Sequence, residues 1–355
     1  MDPALPARLC LSPHRSLLVL GPGSRRIGLD PHHGVDVDGL HPALATMLDE
    51  LAGAAAGAVD PVAVHSVAVD SARLTATATA RGAPPGSAAG LLHRLVGSGS
   101  VVDTRAVQRR AGRRTHSAVL VVGGGPLAAG VVTGLVQAGV GAVHVEAAGP
   151  VRAADLGTGL VDADRGDDRG AALAAAAARL VPGTVVGPPS QRLVPDLVVF
   201  ADAQAPEPRA AARLLEAGVA HLLVRLRDGT GVVGPLVLPG RTACLRCLDL
   251  RRSERDPGWP AVAAQLVGRP GRADPACAAA TAAFGTAQAL AGIDGTAEPA
   301  VLDATIELDV TAGTARRRSW APHPECSCGA APVHGGPRHP RATCAAPAPG
   351  GTLVS

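Results

Sequence analysis

The chain has 355 residues, of which 47% are hydrophobic, and a formal net charge of +3 at pH 7. This length predicts about two domains. The weak charge and an aromatic fraction of 1% argue against nucleic-acid binding, which uses basic grooves and stacking rings. No apolar run free of Gly, Pro and charge reaches the roughly 18 residues of a membrane helix, and the first residues contain no apolar signal core. We therefore expect a cytoplasmic protein without a membrane partner.

Residues 1–104 alternate short strand patterns with short helices and predict a small winged-helix-like α+β domain. A domain that serves only packing or dimerisation is the alternative, since these residues offer no polar constellation suited to catalysis. The Arg-rich residues 105–116 are predicted to be a solvated linker. The predicted elements before this linker are strands at Ser16–Leu20, Arg26–Leu29 and Val35–Val37 and helices at Pro42–Leu51 and Gly86–Val96.

Residues 117–329 open with a strand, a glycine-rich turn, a helix and a second strand, which predicts a Rossmann-like α/β domain. Gly123, Gly125 and Ala128 form a GxGxxA turn whose amides would face a phosphate at a helix N-terminus. Glu146 ends the second strand, 23 residues after Gly123, where an acid can bind a ribose hydroxyl. A turn of this kind that binds nothing is the alternative.

Four cysteines form two closely spaced pairs, Cys244 with Cys247 and Cys326 with Cys328. Each pair is predicted to lie in a turn, so that four thiolates converge on one structural zinc ion. Two unrelated thiol pairs, or His323 as a substitute ligand, remain alternatives. The total of 7 cysteines is odd, which favours metal binding over a disulfide framework. Residues 330–355, rich in Gly, Pro, His and Ala, are predicted to be a disordered tail.

Three stretches, VLVVGGGPLAAG, PDLVVFADA and GPLVLPGRTACLRC, follow one another in the order seen in the ThiF/MoeB family, which the chain resembles over residues 117–328. This family is related to ubiquitin-activating enzymes. The resemblance implies a Rossmann-like domain with a four-cysteine zinc site that binds ATP and magnesium and adenylates a carboxyl terminus.

Several residues depart from the family pattern. Ala148 stands where a magnesium-binding carboxylate is expected, and Thr158 lies in the segment where an arginine is expected. The expected lysine is absent, because the chain contains no lysine at all. Asp196 and Asp202 match acidic positions of the family. Without cations to meet the charge that develops on phosphate, adenylation loses most of its electrostatic catalysis, which predicts that any ATP site is vestigial.

A narrower resemblance covers nearly the whole chain up to the tail. The segments RRIGLDPHHGVDVDGLHPALATMLDEL, GRTACLRCLDLRR and LDATIELDVTAGTARRRSWAPHPECSCGA are similar to the ThiF-like partner proteins of azole-forming (TOMM, bacteriocin) peptide pathways. The resemblance implies a non-catalytic protein that binds the leader of a ribosomal precursor peptide and docks a YcaO-type cyclodehydratase. It also implies a homodimer.

An extended leader can add a strand to a sheet edge and rest its side chains on a neighbouring helix. The candidate edge is Val35–Leu40, and the candidate helix, Gly86–Val96, is expected to expose Leu91, Leu92 and Leu95. Two other functions stay open. One is an active ThiF/MoeB-like adenylyltransferase acting on the C-terminus of a carrier protein. The other is an NAD(P)-dependent oxidoreductase, which rests on the glycine turn alone.

Overall fold

The computed structural model describes residues 4–30, 32, 34–55, 68–295 and 297–330. The chain divides into two compact units, Met1–Ser117 and Ala118–Ser355, and each unit has its own hydrophobic core. Of the predicted tail, residues 330–355, all but Ala330 lie outside the described residues, and Cys344 is among them.

The described residues of the first unit form two small antiparallel sheets and four helices, with a core rich in leucine. One sheet has the order β5-β1-β6 and the other the order β2-β3-β4, so β2 and β4 are the outer strands of the second sheet. The strands are β1 (Arg8–Leu11), β2 (Leu17–Gly21), β3 (Ser24–Ile27), β4 (Val35–Val37), β5 (Val69–Asp70) and β6 (Val101–Asp103). The helices are α1 (Pro42–Ala55), α2 (Ser71–Ala80), α3 (Ser87–Gly97) and α4 (Thr104–His116).

Two features of this unit differ from the sequence expectations. Residues 105–116, predicted as a solvated linker, lie within α4, which the Asp103 carboxylate caps by accepting the N–H of Arg105 at 2.9 Å. The expectation that α3 exposes its leucines is wrong. Leu91, Leu92 and Leu95 are at most 2% exposed, because the apolar face of α3 packs into the core.

The second unit is built on one eight-stranded sheet, which confirms the mixed α/β class. Its order is β14-β13-β12-β11-β10-β7-β8-β9; the strands from β11 to β9 are parallel, and β12, β13 and β14 extend the sheet antiparallel. The strands are β7 (Ala118–Val122), β8 (Ala142–Glu146), β9 (Val185–Gly187), β10 (Leu197–Asp202), β11 (Ala220–Arg227), β12 (Thr230–Val237), β13 (Ala304–Asp309) and β14 (Thr314–Ser319). The helices are α5 (Pro126–Gln137), α6 (Arg169–Leu180), α7 (Pro208–Glu216), α8 (Leu245–Ser253), α9 (Trp259–Leu266) and α10 (Pro275–Asp294).

Small residues let α5 and α10 approach closely on one face of this sheet. A Cβ atom added to Gly130 would lie 2.6 Å from the Cβ of Ala282, and one added to Gly134 would lie 2.9 Å from Thr286. By length and composition, α10 is the one described helix that could cross a membrane. Here it packs buried residues such as Ala282 and Ala289 into the core. The close contact fixes α5, whose N-terminus begins at the glycine turn.

Candidate functional site

The glycine turn joins β7 to α5, and its amides have a partner within the chain. The carboxylate of Asp202, the last residue of β10, accepts hydrogen bonds from the N–H groups of Gly125, Leu127 and Ala128 at 2.8, 2.9 and 3.3 Å. Parallel pairing of β7 with β10 brings this carboxylate to the start of α5. Asp202 therefore caps the helix at the place where the sequence predicts a phosphate.

Two opposing effects act on the pKa of the Asp202 carboxylate. Burial raises this pKa, whereas the hydrogen bonds from the three N–H groups lower it by stabilising the charged form. The backbone of Asp202 is left-handed, with φ of 71°. Gly123 is constrained by its surroundings, because its φ is 147° and an added Cβ would lie 2.5 Å from the carbonyl oxygen of Ala201. Only glycine fits there without a shift of the backbone.

A cavity of about 770 Å³ opens beside this cap. Gly123, Gly125 and Asp202 line it, together with Thr158. Its size lies within the range of ligand-binding cavities, roughly 300–1,000 Å³. Three arginines from separate parts of the chain also line it: Arg152, Arg169 and Arg272. The cavity thus combines backbone turns with three cationic side chains and the carboxylates of Asp155 and Asp202.

Arg169 places a cation beside Asp155 and Ala148 at the wall of this cavity. It begins α6 and pairs with Asp155, with Nη2 2.6 Å from Oδ2, and its Nη1 donates to the carbonyl of Ala148 at 3.0 Å. Arg152 and Arg272 are exposed at the cavity. None of these three arginines could be identified from the sequence, because they lie outside the glycine-turn motif and no local pattern marks them.

The predicted nucleotide residues take different places. Gly123 and Gly125 line the cavity, whereas Ala128 is fully buried and contributes its N–H to Asp202. Glu146 ends β8 with an exposed side chain that does not line the cavity. Asp196 binds the first residue of β7, since its carboxylate accepts the N–H of Ala118 at 2.8 Å.

The four predicted cysteines come together. The Sγ atoms of Cys244, Cys247, Cys326 and Cys328 all lie within 4.8 Å of one another. The Cys244–Cys247 separation is 3.8 Å, and the Cys244–Cys326 and Cys247–Cys328 separations are 3.6 Å. A tetrahedral zinc ion with Zn–S bonds of about 2.3 Å places its sulfurs about 3.8 Å apart. These three separations are close to those of a tetrahedral zinc site.

Charge in the cluster also suits a cation. The Cys244 thiol donates a hydrogen bond to Cys247, which is the main reason why the pKa of Cys247 is lowered and that of Cys244 is raised. A thiolate is the form that binds metal. The Asp303 carboxylate holds the residue that precedes Cys244, since it accepts the N–H of Ala243 at 2.6 Å. His323, the alternative ligand, instead places Nε2 2.9 Å from Glu254.

The expectation that each cysteine pair lies in a turn holds for Cys326 and Cys328 and fails for the first pair. Cys244 is the N-cap of α8, and Cys247 lies in its first turn. Buried side chains that include Cys247, Leu248 and Trp320 form a separate small core beside the sheet. The first pair is thus held by a helix.

No family model and no curated protein matches the sequence. Solved structures do match the fold. E. coli MccB with ATP aligns with a TM-score of 0.67 at 14% identity, over 90% of this chain and 99% of that one. The microcin C7 biosynthetic enzyme MccB in complex with N-formylated MccA gives 0.66 at 14%, over 91% and 99%. PaaA gives 0.50 at 12%, over 65% of this chain and 91% of that one.

The extent of the MccB alignment is informative. Residues 118–355 make up about two-thirds of the chain, so a match over 90% includes most of the first unit as well. The chain therefore has the ThiF/MoeB-like fold, as the resemblance in its sequence predicts.

Proposed function

We propose that this chain is a non-catalytic partner protein in the maturation of a ribosomally made peptide, where it binds the precursor leader and docks a YcaO-type cyclodehydratase that forms azole rings. One observation carries the proposal: the fold follows MccB through both units, and MccB is solved in complex with MccA. In this proposal the first unit is the winged-helix-like module that receives the leader, and residues 118–329 form the ThiF-like part that docks the cyclodehydratase.

The outer strand β4 is the proposed leader edge. Among the described strands it pairs only with β3, so no described strand occupies the side of β4 where a leader would add. The Arg26 guanidinium and the Asp36 carboxylate bridge β3 to β4 with two hydrogen bonds of 2.6 and 2.7 Å. Since the leucines of α3 are buried, the backbone of β4 is the better candidate for contact.

Hydrogen exchange on the full chain tests this edge. A leader peptide encoded beside the gene should slow exchange of the amides of Val35–Val37. It should leave those of Leu17–Gly21 unchanged, since β2 is the opposite outer strand and serves as the internal control. Equal exchange with and without peptide, for precursors that bind the full chain, would contradict the assignment to β4. A chain that binds no neighbouring precursor would contradict the function itself.

The loss of adenylation is proposed from the residues that depart from the family pattern. Ala148 and Thr158 stand where a magnesium-binding carboxylate and an arginine are expected, and the chain contains no lysine. Gly123, Gly125, Ala128 and Glu146 would then be the remains of a nucleotide site. In this proposal the protein works in the cytoplasm as a homodimer, which light scattering would check.

The cavity supports a second candidate, an active ATP-dependent adenylyltransferase acting on a C-terminus. The observation in its favour is that Arg152, Arg169 and Arg272 line one cavity and offer the cations that the motif lacks. ATP–pyrophosphate exchange decides between the two candidates. Magnesium-dependent exchange that falls in Arg272→Met would establish the adenylyltransferase, and no exchange in the presence of a bound leader would establish the non-catalytic partner.

We also propose that Cys244, Cys247, Cys326 and Cys328 bind one structural zinc ion. All four ligand positions of the ion are filled by thiolates, which leaves none for a substrate. Metal analysis of protein purified without chelators should find one zinc per chain, and Cys247→Ser should lose it. Zinc-free protein would overturn the assignment.

A further inference from the structure

A second, smaller cavity of about 40 Å³ lies on the face of the sheet that α8 and α9 cover. It is distinct from the large cavity, with which it shares no lining residue. Most of its wall is apolar, and three of its lining residues are charged. The apolar side chains include Leu223, Leu245, Leu248, Ala263 and Leu266.

Arg225 lines this cavity from the C-terminal end of β11 and is 6% exposed. Its Nη1 donates to the carbonyl of Gln204 at 2.6 Å. Its buried Nε has no hydrogen-bond partner among the described residues. Buried polar atoms almost always have a partner, and a buried guanidinium that lacks one carries a large desolvation cost.

A second guanidinium lines the same cavity. Arg252 of α8 has a side chain 14% exposed and reaches Asp249 at 3.3 Å. Asp249 is shared, since it also accepts the indole N–H of Trp259 at 3.0 Å, and its side chain is half-exposed. One carboxylate at the edge of the cavity therefore faces two buried cations.

The neighbouring side chains do not cancel this excess of positive charge. Arg227 pairs with Glu307 at 2.9 Å, and Arg318 binds the same carboxylate at 3.2 Å. Around the cavity, four guanidinium groups are thus matched by Asp249 and Glu307. Burial lowers the pKa of Arg225 to about 9, and repulsion from Arg252 and Arg227 adds to the effect. Arginine remains charged in proteins, so the surplus calls for an anion.

We propose that this cavity binds a small monovalent anion, chloride or formate in size, between the guanidinium groups of Arg225 and Arg252. The anion would accept the unpartnered Nε–H of Arg225 and neutralise the charge beneath α8 and α9. Because Cys244 and Cys247 begin α8, the ion would also stabilise the helix that carries the first cysteine pair. This proposal does not depend on the proposed function.

Thermal unfolding of the full chain tests the site in solution. Chloride, bromide and formate should raise Tm in a saturable way by about 2 °C or more, whereas gluconate, which is too large for the cavity, should not at equal ionic strength. Arg225→Met should abolish the anion-specific rise. The control Arg209→Met replaces an exposed arginine of α7 and should keep it. An equal rise in all four salts, or a rise retained by Arg225→Met, would overturn the proposal.

Crystallography of the wild-type chain grown in bromide keeps the test decisive if Arg225→Met fails to fold. An anomalous bromide peak within hydrogen-bonding distance of Arg225 Nε supports the site when solution Tm shows the same saturable rise. Water at that position, or a peak without any rise in Tm, would mean that the cavity is filled by solvent or by an ion bound at crystal concentration only, and would overturn it.

Discussion

Two adjacent residues of β3 make the same bidentate contact in different surroundings. Arg25 binds Asp49 of α1 through Nε and Nη2 at 2.8 and 2.7 Å, and its side chain is 7% exposed. Arg26 binds Asp36 with similar distances at the surface. Removing one partner of a buried pair leaves an uncompensated charge, whereas exposed ion pairs contribute little to stability.

We therefore expect Asp49→Ala to lower the free energy of unfolding by about 1–2 kcal/mol, since Asp49 is itself half-exposed and charged hydrogen bonds of this kind contribute that much. Asp36→Ala, the matched control on the same strand pair, should change stability much less. Urea unfolding of both variants measures the difference. Equal losses would show that burial of Arg25 does not decide the strength of the pair.

A buried histidine predicts sensitivity to acid. His221 on β11 is 1% exposed, lies edge-on to Phe200 with ring centroids 6.1 Å apart, and places Nδ1 3.1 Å from the carbonyl of Val219. Burial lowers its pKa below the ordinary value near 6.5. The folded state thus binds fewer protons than the unfolded state, and stability is lost as pH falls below about 6.5.

His221→Phe should remove part of this loss, so that Tm falls less between pH 7.5 and 5.5 than in wild type. Exposed His14 provides the control, since His14→Gln leaves the buried ring in place. Thermal unfolding across that pH range is the measurement. An identical pH slope in wild type and His221→Phe would rule out this histidine as a source of acid sensitivity.

At the same scale, the site shows how far single residues can be inferred from sequence. The cysteines could be predicted because their chemistry requires four sulfurs and their spacing supplies two pairs. Arg169 could not be predicted. It reaches the cavity because Asp155 and the carbonyl of Ala148 bind it across a turn, which is a tertiary arrangement that no motif records.

Among the helices, the contact of α5 with α10 depends on glycine where helices normally prefer alanine. Glycine in a helix interior ordinarily costs roughly 1 kcal/mol relative to alanine. Gly112 of α4 follows that rule, because an added Cβ there meets nothing within 4 Å. At Gly130 the added Cβ would collide with Ala282. Replacing glycine by alanine should therefore raise the free energy of unfolding at Gly112 and lower it at Gly130.

We expect Gly112→Ala to stabilise the protein by up to about 1 kcal/mol and Gly130→Ala to destabilise it by about 1–3 kcal/mol through overpacking. Chemical unfolding of the two variants gives the signs directly. Stabilisation by both substitutions would mean that α5 and α10 separate without cost.

Elements with a clear hydrophobic period could be predicted from sequence, and elements without one could not. The strand–turn–helix–strand opening of β7, α5 and β8 follows from buried apolar runs broken by glycine. The arginine-rich α4 offered no such period, and its helix depends on the Asp103 cap and on packing against β1 and β6. The start of α8 could not be predicted, because the closely spaced cysteine pair there is typical of a turn.

For the whole molecule, two separate cores predict two unfolding events. The cysteine cluster belongs to the second unit, so metal should stabilise that unit and leave Met1–Ser117 unaffected. Structural zinc contributes on the order of 10 kcal/mol to small metal-dependent domains. Removal of the proposed zinc ion should therefore shift one calorimetric transition strongly downwards.

Calorimetry with and without a strong chelator measures this, and Cys326→Ser should reproduce the chelator effect. Cys277→Ala replaces a buried thiol of α10 outside the cluster and should keep the chelator response. A single transition that moves as a whole with chelator would show that the two units unfold together.

The contact of Arg252 with two indole rings has a spectroscopic consequence. Its Cζ lies 4.8 Å from the ring centroid of Trp259 and 5.1 Å from that of Trp320. These are the chain's two tryptophans, and it has no tyrosine. Tryptophan emission therefore comes from the second unit alone, where Trp320 packs with Cys244 and Cys247. Because the first unit contains no tryptophan, thermal unfolding followed by tryptophan fluorescence will report on the second unit alone. Unfolding followed by circular dichroism will report on both units.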